Sequence, residues 1–136
     1  MISDQVARHI GDLSPYWGLL GMEPLEAHGG QARVRLPFRK EITQLYGTVH
    51  GGALASLADS TVALAIKSIA PDSEIHSTVE MKINFLAPAR DSDIICEARL
   101  LKKGKRIMVG WAELKDKNNR LVATATATYI VNSFSP

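Results

Sequence analysis

One apolar segment, Gly51 to Ala70, carries the residues whose types and spacing are best suited to chemistry. His50, Gly51 and Gly52 stand at its start, and Asp59 is the only ionisable side chain between positions 51 and 66. Glycines at the start of a helix let a ligand approach backbone N–H groups that have no partner inside the helix and lie at the positive end of its dipole. Such groups stabilise a carbonyl oxygen that gains negative charge during a reaction.

Asp59 is the residue that points most clearly to function. Aspartate is a poor residue for a helix interior, and burying an unpaired carboxylate is costly, so such a residue is usually paired or functional. Two simpler interpretations remain open. Asp59 could bond to a nearby hydroxyl (Ser56, Ser60 or Thr61) or face solvent, and the His50 triplet could be only a glycine cap with a core histidine.

Other candidate residues carry weaker signals. A second His-Gly-Gly triplet, at His28, lies between strand-like stretches and is predicted to form a turn, and Cys96 is predicted to be a small core residue. No Cys/His cluster has the spacing of a metal site, and neither a G-x-S-x-G motif nor a phosphate-binding loop occurs. The run Lys102-Lys103-Gly104-Lys105-Arg106 is either a solvated hairpin turn or a basic site for a phosphate-bearing ligand.

The helices that would position these residues are indicated by composition and spacing. Gly51 to Ala70 is rich in Ala and Leu, is apolar almost all round and is followed by Pro71, which predicts a long helix buried on most sides. Val6, Ile10 and Leu13 recur at helical spacing and predict a short peripheral helix over Ser3 to Leu13.

Alternating segments predict about five strands, over 25–38, 78–85, 94–100, 107–111 and 121–131. Gly29-Gly30 predicts a hairpin turn, and alternation over 78–85 places Thr78 on the face opposite to Val79. Short connections favour antiparallel neighbours, so we expect an α+β fold in which a strongly curved antiparallel sheet wraps around one long central helix. Because one small sheet cannot enclose an apolar helix, a homodimer is expected.

Composition bounds the remaining possibilities. With 136 residues and 14.8 kDa, the chain is expected to be a single domain over 1–136. A net charge of +2 argues against nucleic-acid binding. The N-terminus lacks the apolar stretch of a signal peptide, and the most apolar segment is short and contains Asp59, which argues against a membrane span. Cys96 cannot form an internal disulfide, so a reducing, cytoplasmic location is expected.

Two segments resemble the hotdog-fold thioesterases of the phenylacetate-degradation (PaaI-like) type. They are Gln44 to Asp59, QLYGTVHGGALASLAD, and Thr78 to Ala89, TVEMKINFLAPA. The order of elements agrees with that family from about Leu25 to Val131. The resemblance implies a hotdog fold and hydrolysis of an acyl-CoA thioester, with coenzyme A as part of the substrate and no separate cofactor.

The resemblance also implies roles for five residues in this catalytic site. The Gly51 N–H would polarise the thioester carbonyl, and Asp59 would be the nucleophile or the general base that activates water. His50 would shape the site, and Thr78 matches a hydroxyl that orients water in relatives. Gln44 falls where several relatives have Asn near the leaving sulfur, and it is longer by one methylene.

For coenzyme A, the resemblance implies contacts along two segments. These are Phe85 to Arg90, including both of these residues, and the hairpin Lys102 to Ile107, including Lys102, Lys103, Lys105 and Arg106.

Helix geometry adds an inference about assembly. Gly51 and Asp59 are eight residues apart, which is about 12 Å along one helix axis, so one small carbonyl cannot easily meet both from one chain. Two antiparallel helices would bring the start of one to the middle of the other. The expected active site is therefore shared between chains, as the resemblance also implies, and dimers of this family often pair into tetramers.

Two alternatives remain for the function. A hotdog hydratase or dehydratase would need a catalytic His beside an acid in motifs that are absent here. A non-catalytic acyl-CoA-binding module would not need Asp59.

Overall fold

A computed structural model describes residues 14–134, so the predicted helix over Ser3 to Leu13 lies outside the described residues. The described elements are two helices and six strands, joined in part by a 3-10 turn at Lys40–Ile42: α1 (Pro15–Leu20), β1 (Glu23–His28), β2 (Gln31–Leu36), α2 (Gly51–Lys67), β3 (Glu74–Phe85), β4 (Ile94–Lys103), β5 (Ile107–Lys115) and β6 (Leu121–Phe134).

The strands form one antiparallel sheet in the order β1-β2-β4-β5-β6-β3, with α2 packed against its inner face. This arrangement confirms the predicted fold class, with one strand more than the five expected. The extra strand is β1, because Gly29 and Gly30 reverse the chain with φ angles of +58° and +83° and divide the first alternating segment into two paired strands.

The core lies between α2 and the sheet. Leu57, Ala58, Val62 and Ala65 along the helix are buried, as are the inward side chains of β2, β4, β5 and β6. The helix approaches the sheet so closely that a Cβ at Gly110 would lie 2.5 Å from a Val62 methyl carbon. This contact requires glycine at position 110.

The central helix ends at Lys67, three residues before the predicted end at Ala70. The Ser68 hydroxyl donates to the Ala65 carbonyl and accepts from the Gly30 N–H, at 2.6 and 2.9 Å. Ser68 therefore satisfies the Ala65 carbonyl at the end of the helix and links the β1-β2 turn to the helix. Local helix propensity does not predict this long-range contact.

Strand β3 lies at one edge of the sheet and has a β-bulge between Thr78 and Glu80. Three large apolar side chains on this edge are exposed: Ile75 by 42%, Val79 by 55% and Phe85 by 55%. A long edge strand with exposed apolar side chains presents unpaired backbone groups and a surface suited to pairing with another chain.

Candidate active site

Asp59 lies in the middle of α2, and its side chain is bonded to two strands rather than to its own helix. Thr78 on β3 donates from Oγ1 to Asp59 Oδ1 at 2.9 Å, and the Tyr129 hydroxyl on β6 donates to the same oxygen at 2.6 Å. Of the helix hydroxyls that could have bonded to Asp59, Ser56 and Thr61 donate instead to main-chain carbonyls one turn earlier. Asp59 is therefore a paired carboxylate held from outside the helix.

Thr78 reaches Asp59 because of the bulge in β3. Strict alternation predicted Thr78 on the face opposite to Val79 and on the same face as Glu80, and only the second part of this prediction is wrong. The bulge inserts an extra residue between Thr78 and Glu80, so that Thr78 faces the helix while Glu80 faces Thr128 on the other side of the sheet. Bulges of this kind often redirect a side chain beside a functional site.

Tyr129 is a site residue that the sequence analysis missed. The inward positions of β6 are Ala123, Ala125, Ala127, Tyr129 and Val131, all buried, and Tyr129 is only 4% exposed. A buried phenol needs a hydrogen-bond partner, so a single Tyr on an otherwise apolar strand face was the available signal. Burial, followed by the negative charge of Asp59, raises the pKa of Tyr129, so the phenol remains protonated.

His50 is the N-cap of α2 and is exposed, which excludes its interpretation as a core histidine. Its Nδ1 accepts a hydrogen bond from the Gly52 N–H at 2.7 Å, and its own backbone N–H donates to the Ile42 carbonyl at 2.8 Å. A neutral ring that accepts at Nδ1 carries its hydrogen on Nε2. The histidine therefore fixes the first turn of the helix and the position of Gly51.

The Gly51 N–H is available to a ligand, since no acceptor within residues 14–134 bonds to it. A groove of about 350 Å³ opens beside Gly51, and its lining includes Gln44, Leu54, Phe85 and Pro88. The Phe85 ring closes one side, where a Cβ on Gly51 would meet it at 3.2 Å. The groove thus brings Gln44, Gly51 and Phe85 together, as their predicted roles require.

Gln44 is tied to its own loop. Its side-chain oxygen accepts from the Tyr46 N–H, and its backbone N–H donates to the Thr48 carbonyl at 2.8 Å. The side-chain amide nitrogen remains as the group that Gln44 can offer to a ligand in the groove.

Asp59 does not line this groove. It lies eight residues after Gly51 on the same helix, about 12 Å along the helix axis. One chain therefore places the candidate oxyanion-binding group and the candidate carboxylate at two separate positions.

The two segments predicted to contact coenzyme A also lie apart. In the strand register, Phe85 pairs with Ala123 at one end of β6, whereas Ile107, at the basic hairpin, pairs with Ile130 toward the other end. Lys102, Lys103, Lys105 and Arg106 are all exposed. Arg90 is also exposed, and its guanidinium donates to the Tyr46 carbonyl at 3.4 Å. A single chain does not bring the two segments together.

Within the described residues, neither a reactive thiol nor a metal site is found. Cys96 is fully buried as predicted, and burial raises its pKa to about 12, so it is not a reactive thiol. Over residues 14–134 no group of three or more His, Cys, Asp or Glu side chains could hold a metal ion. No helix in this part of the chain is long and apolar enough to span a membrane.

Comparison with known proteins supplies the family context for this geometry. The family model described as "Thioesterase superfamily" matches residues 46–123, more than half of the chain and the segment that contains Gly51, Asp59 and Thr78. Solved structures with the same fold include two that are more than 25% identical to this chain. A conserved protein of Pseudomonas aeruginosa is 36% identical, with a TM-score of 0.83, and the match covers 87% of this chain and 94% of that one.

The second structure is a mutant of the phenylacetic acid degradation protein PaaI of Thermus thermophilus. It is 27% identical with a TM-score of 0.79, and the match covers 86% of this chain and 98% of that one. Among curated proteins, the medium/long-chain acyl-CoA thioesterase YigI of Escherichia coli is 25% identical over 96% of this chain and 97% of its own. These matches confirm the resemblance to PaaI-like hotdog proteins.

Proposed function

The chain belongs to the thioesterase superfamily, and we propose that it hydrolyses the thioester bond of an acyl-CoA. The observation that carries this proposal is that one helix holds two groups. The Gly51 N–H at its start has no hydrogen-bond acceptor within residues 14–134, and the Asp59 carboxylate, two turns later, is held in place by Thr78 and Tyr129. These are the two groups that acyl transfer to water needs: a donor for the developing oxyanion and a group that activates the attacking oxygen.

In the proposed reaction, the thioester carbonyl oxygen accepts a hydrogen bond from the Gly51 N–H, and the helix dipole adds to the stabilisation of its developing charge. Asp59 takes a proton from water, whose oxygen attacks the carbonyl carbon. The tetrahedral intermediate then collapses, the C–S bond breaks, and the coenzyme A thiolate leaves and takes up the proton that Asp59 removed from water, which regenerates the carboxylate. The products are the free acid and coenzyme A.

Supporting groups complete the proposed site. His50 fixes the first helix turn and so aims the Gly51 N–H, and Gln44 lies in the same groove, where its amide can approach the leaving sulfur. Thr78 donates to Asp59, and since no donor within residues 14–134 bonds to its Oγ1, that oxygen can accept from the attacking water.

The active site is proposed to be shared between two subunits. Support comes from the axial separation of about 12 Å between Gly51 and Asp59 and from the exposed apolar edge of β3. If two chains pair at this edge with antiparallel helices, Gly51 of one chain meets Asp59 of the other. The same pairing would bring the segment from Phe85 to Arg90 of one chain toward the basic hairpin of its partner, so that both could contact one coenzyme A. Association of two dimers into a tetramer is proposed on family grounds alone.

Two other activities are compatible with the fold. A hydratase or dehydratase would change the acyl chain and leave the thioester intact, and a binding module would bind acyl-CoA without turnover. The paired carboxylate favours hydrolysis over simple binding, because a binding module would not need a half-buried ionisable group inside its helix.

Thiol release from a panel of aryl and medium-chain acyl-CoA substrates tests the proposal. We expect turnover by the parent protein and a fall in kcat of about 10²-fold or more in Asp59→Asn, which keeps the shape but loses the base or nucleophile. Asp72→Asn, at an exposed acid in the turn before β3, is the matched control and should retain activity. Thiol release at the parent rate by a folded Asp59→Asn protein would contradict the mechanism, and binding without thiol release would favour the module.

A further inference from the structure

We propose that Tyr129 is a positioning residue that holds Asp59 in its reactive orientation, an inference that rests on the function proposed above. The Tyr129 hydroxyl lies 2.6 Å from Asp59 Oδ1 and 2.8 Å from the main-chain carbonyl oxygen of the same residue. One phenol therefore restrains both the carboxylate and the helix backbone that carries it.

The direction of these hydrogen bonds follows from the chemistry of the groups. A carboxylate and a carbonyl only accept, so the phenol must donate. Because burial and the neighbouring charge keep Tyr129 protonated, this donor persists over the pH range in which a thioesterase would work. The single hydroxyl hydrogen is shared between two acceptors on one residue, which fixes their relative orientation.

Both donors to the carboxylate meet the same oxygen. Thr78 and Tyr129 are cross-strand partners in the β3-β6 register, and both reach Asp59 Oδ1. Within residues 14–134 no group donates to Oδ2. Because the Thr78 and Tyr129 donors both occupy Oδ1, Oδ2 is the oxygen that is left to take the proton from water.

The kinetic consequence is specific. Without the phenol hydroxyl, Asp59 is held by Thr78 alone and can rotate between staggered side-chain conformers, only one of which presents Oδ2 to the attacking water. Tyr129 is buried and does not line the groove beside Gly51. The loss should therefore appear in kcat and leave KM close to the parent value.

Tyr129→Phe removes the hydroxyl and retains the buried ring. We expect kcat to fall by about tenfold and KM to stay within about twofold. A crystal structure of the variant should show the Asp59 carboxylate rotated away from the position seen here.

Thr128→Val is the matched control. Thr128 is the residue before Tyr129 on β6, and it donates its hydroxyl to the Glu80 carboxylate on the outer face of the sheet. This variant loses the same kind of bond on the same strand, and we expect parent values of kcat and KM.

The outcomes separate this inference from the proposed function. If the parent cleaves acyl-CoA while folded Tyr129→Phe keeps the parent kcat, the positioning role is overturned and the proposed function stands. If the parent cleaves no acyl-CoA, the proposed function has failed, and the crystal structure then decides. An Asp59 carboxylate that keeps its place without the phenol would overturn the positioning role, and a rotated one would support it.

Discussion

A shared active site makes a quantitative prediction for mixed dimers. The two chemical groups can be removed separately: Asp59→Asn removes the proposed base or nucleophile, and Gly51→Pro removes the N–H that is proposed to face the thioester oxygen. Each loss should lower kcat by about 10²-fold or more, so both homodimers would be nearly inactive.

The backbone geometry makes Gly51→Pro a clean perturbation. Gly51 is the first residue of α2, where proline is well tolerated because the N–H has no intrahelical partner. His50 precedes it with φ −61° and ψ 135°, which is the extended conformation that a residue before proline adopts. Gly51→Ala is the matched control: it adds the same Cβ against the Phe85 ring, at 3.2 Å, but keeps the N–H.

The assay compares two purified heterodimers, each obtained by co-expression of differently tagged chains. In the trans heterodimer, one chain carries Gly51→Pro and the other Asp59→Asn. If each site takes Gly51 from one chain and Asp59 from the other, one site has both defects and one has neither, so about half of the parent kcat per dimer returns. In the cis heterodimer, one chain carries both substitutions and its partner is unaltered. Each site then contains one defect, and the dimer should be nearly inactive.

A site formed within one chain predicts the reverse: an inactive trans heterodimer and a half-active cis heterodimer. That result, with folding and dimer formation established by circular dichroism and light scattering, would refute the shared site. If Gly51→Ala lost as much activity as Gly51→Pro, contact with Phe85, rather than loss of the N–H, would explain the defect.

Three further predictions address substrate affinity, pH dependence and the core. Replacing Lys103 and Arg106 by Ala should raise KM for acyl-CoA at low ionic strength, with little change in kcat, because phosphate contacts far from the thioester act equally on ground and transition states and are screened by salt. Lys40→Ala, at an exposed lysine of the 3-10 turn, is the control. An unchanged KM in the Lys103 and Arg106 variant would mean that the hairpin is only a solvated turn. Burial lowers the pKa of His76, so the unfolded chain binds more protons than the folded chain. The free energy of unfolding should therefore fall as the pH drops below about 6.5. Urea titrations should show a smaller fall in His76→Gln. Leu57 is fully buried, so Leu57→Ala should lower the free energy of unfolding by about 2–5 kcal/mol in the same titrations.

Local patterns were enough to predict the main helix and strands and, within the candidate site, Gly51 and Asp59. The helix from Gly51, the glycine turn at position 29 and the alternating strands are each specified by residues close together in the sequence, through propensity, turn chemistry and the burial of one face. The same is true of the available N–H at Gly51 and the isolated acid at Asp59, since both are positions on one helix.

The partners of Asp59 depended on the tertiary structure. Tyr129 is 70 residues away in sequence, and Thr78 faces the helix only because of a bulge that strict alternation does not predict. A shift of one residue in a strand exchanges its two faces, so the direction of Thr78 is set by the register of β3 on β6 and not by the residues of β3. The separation of the basic hairpin from Phe85 has the same origin, because the ends of strands meet or part according to how the sheet is paired. Spacing along the chain therefore identified which groups could react, and long-range pairing decided which of them lie together.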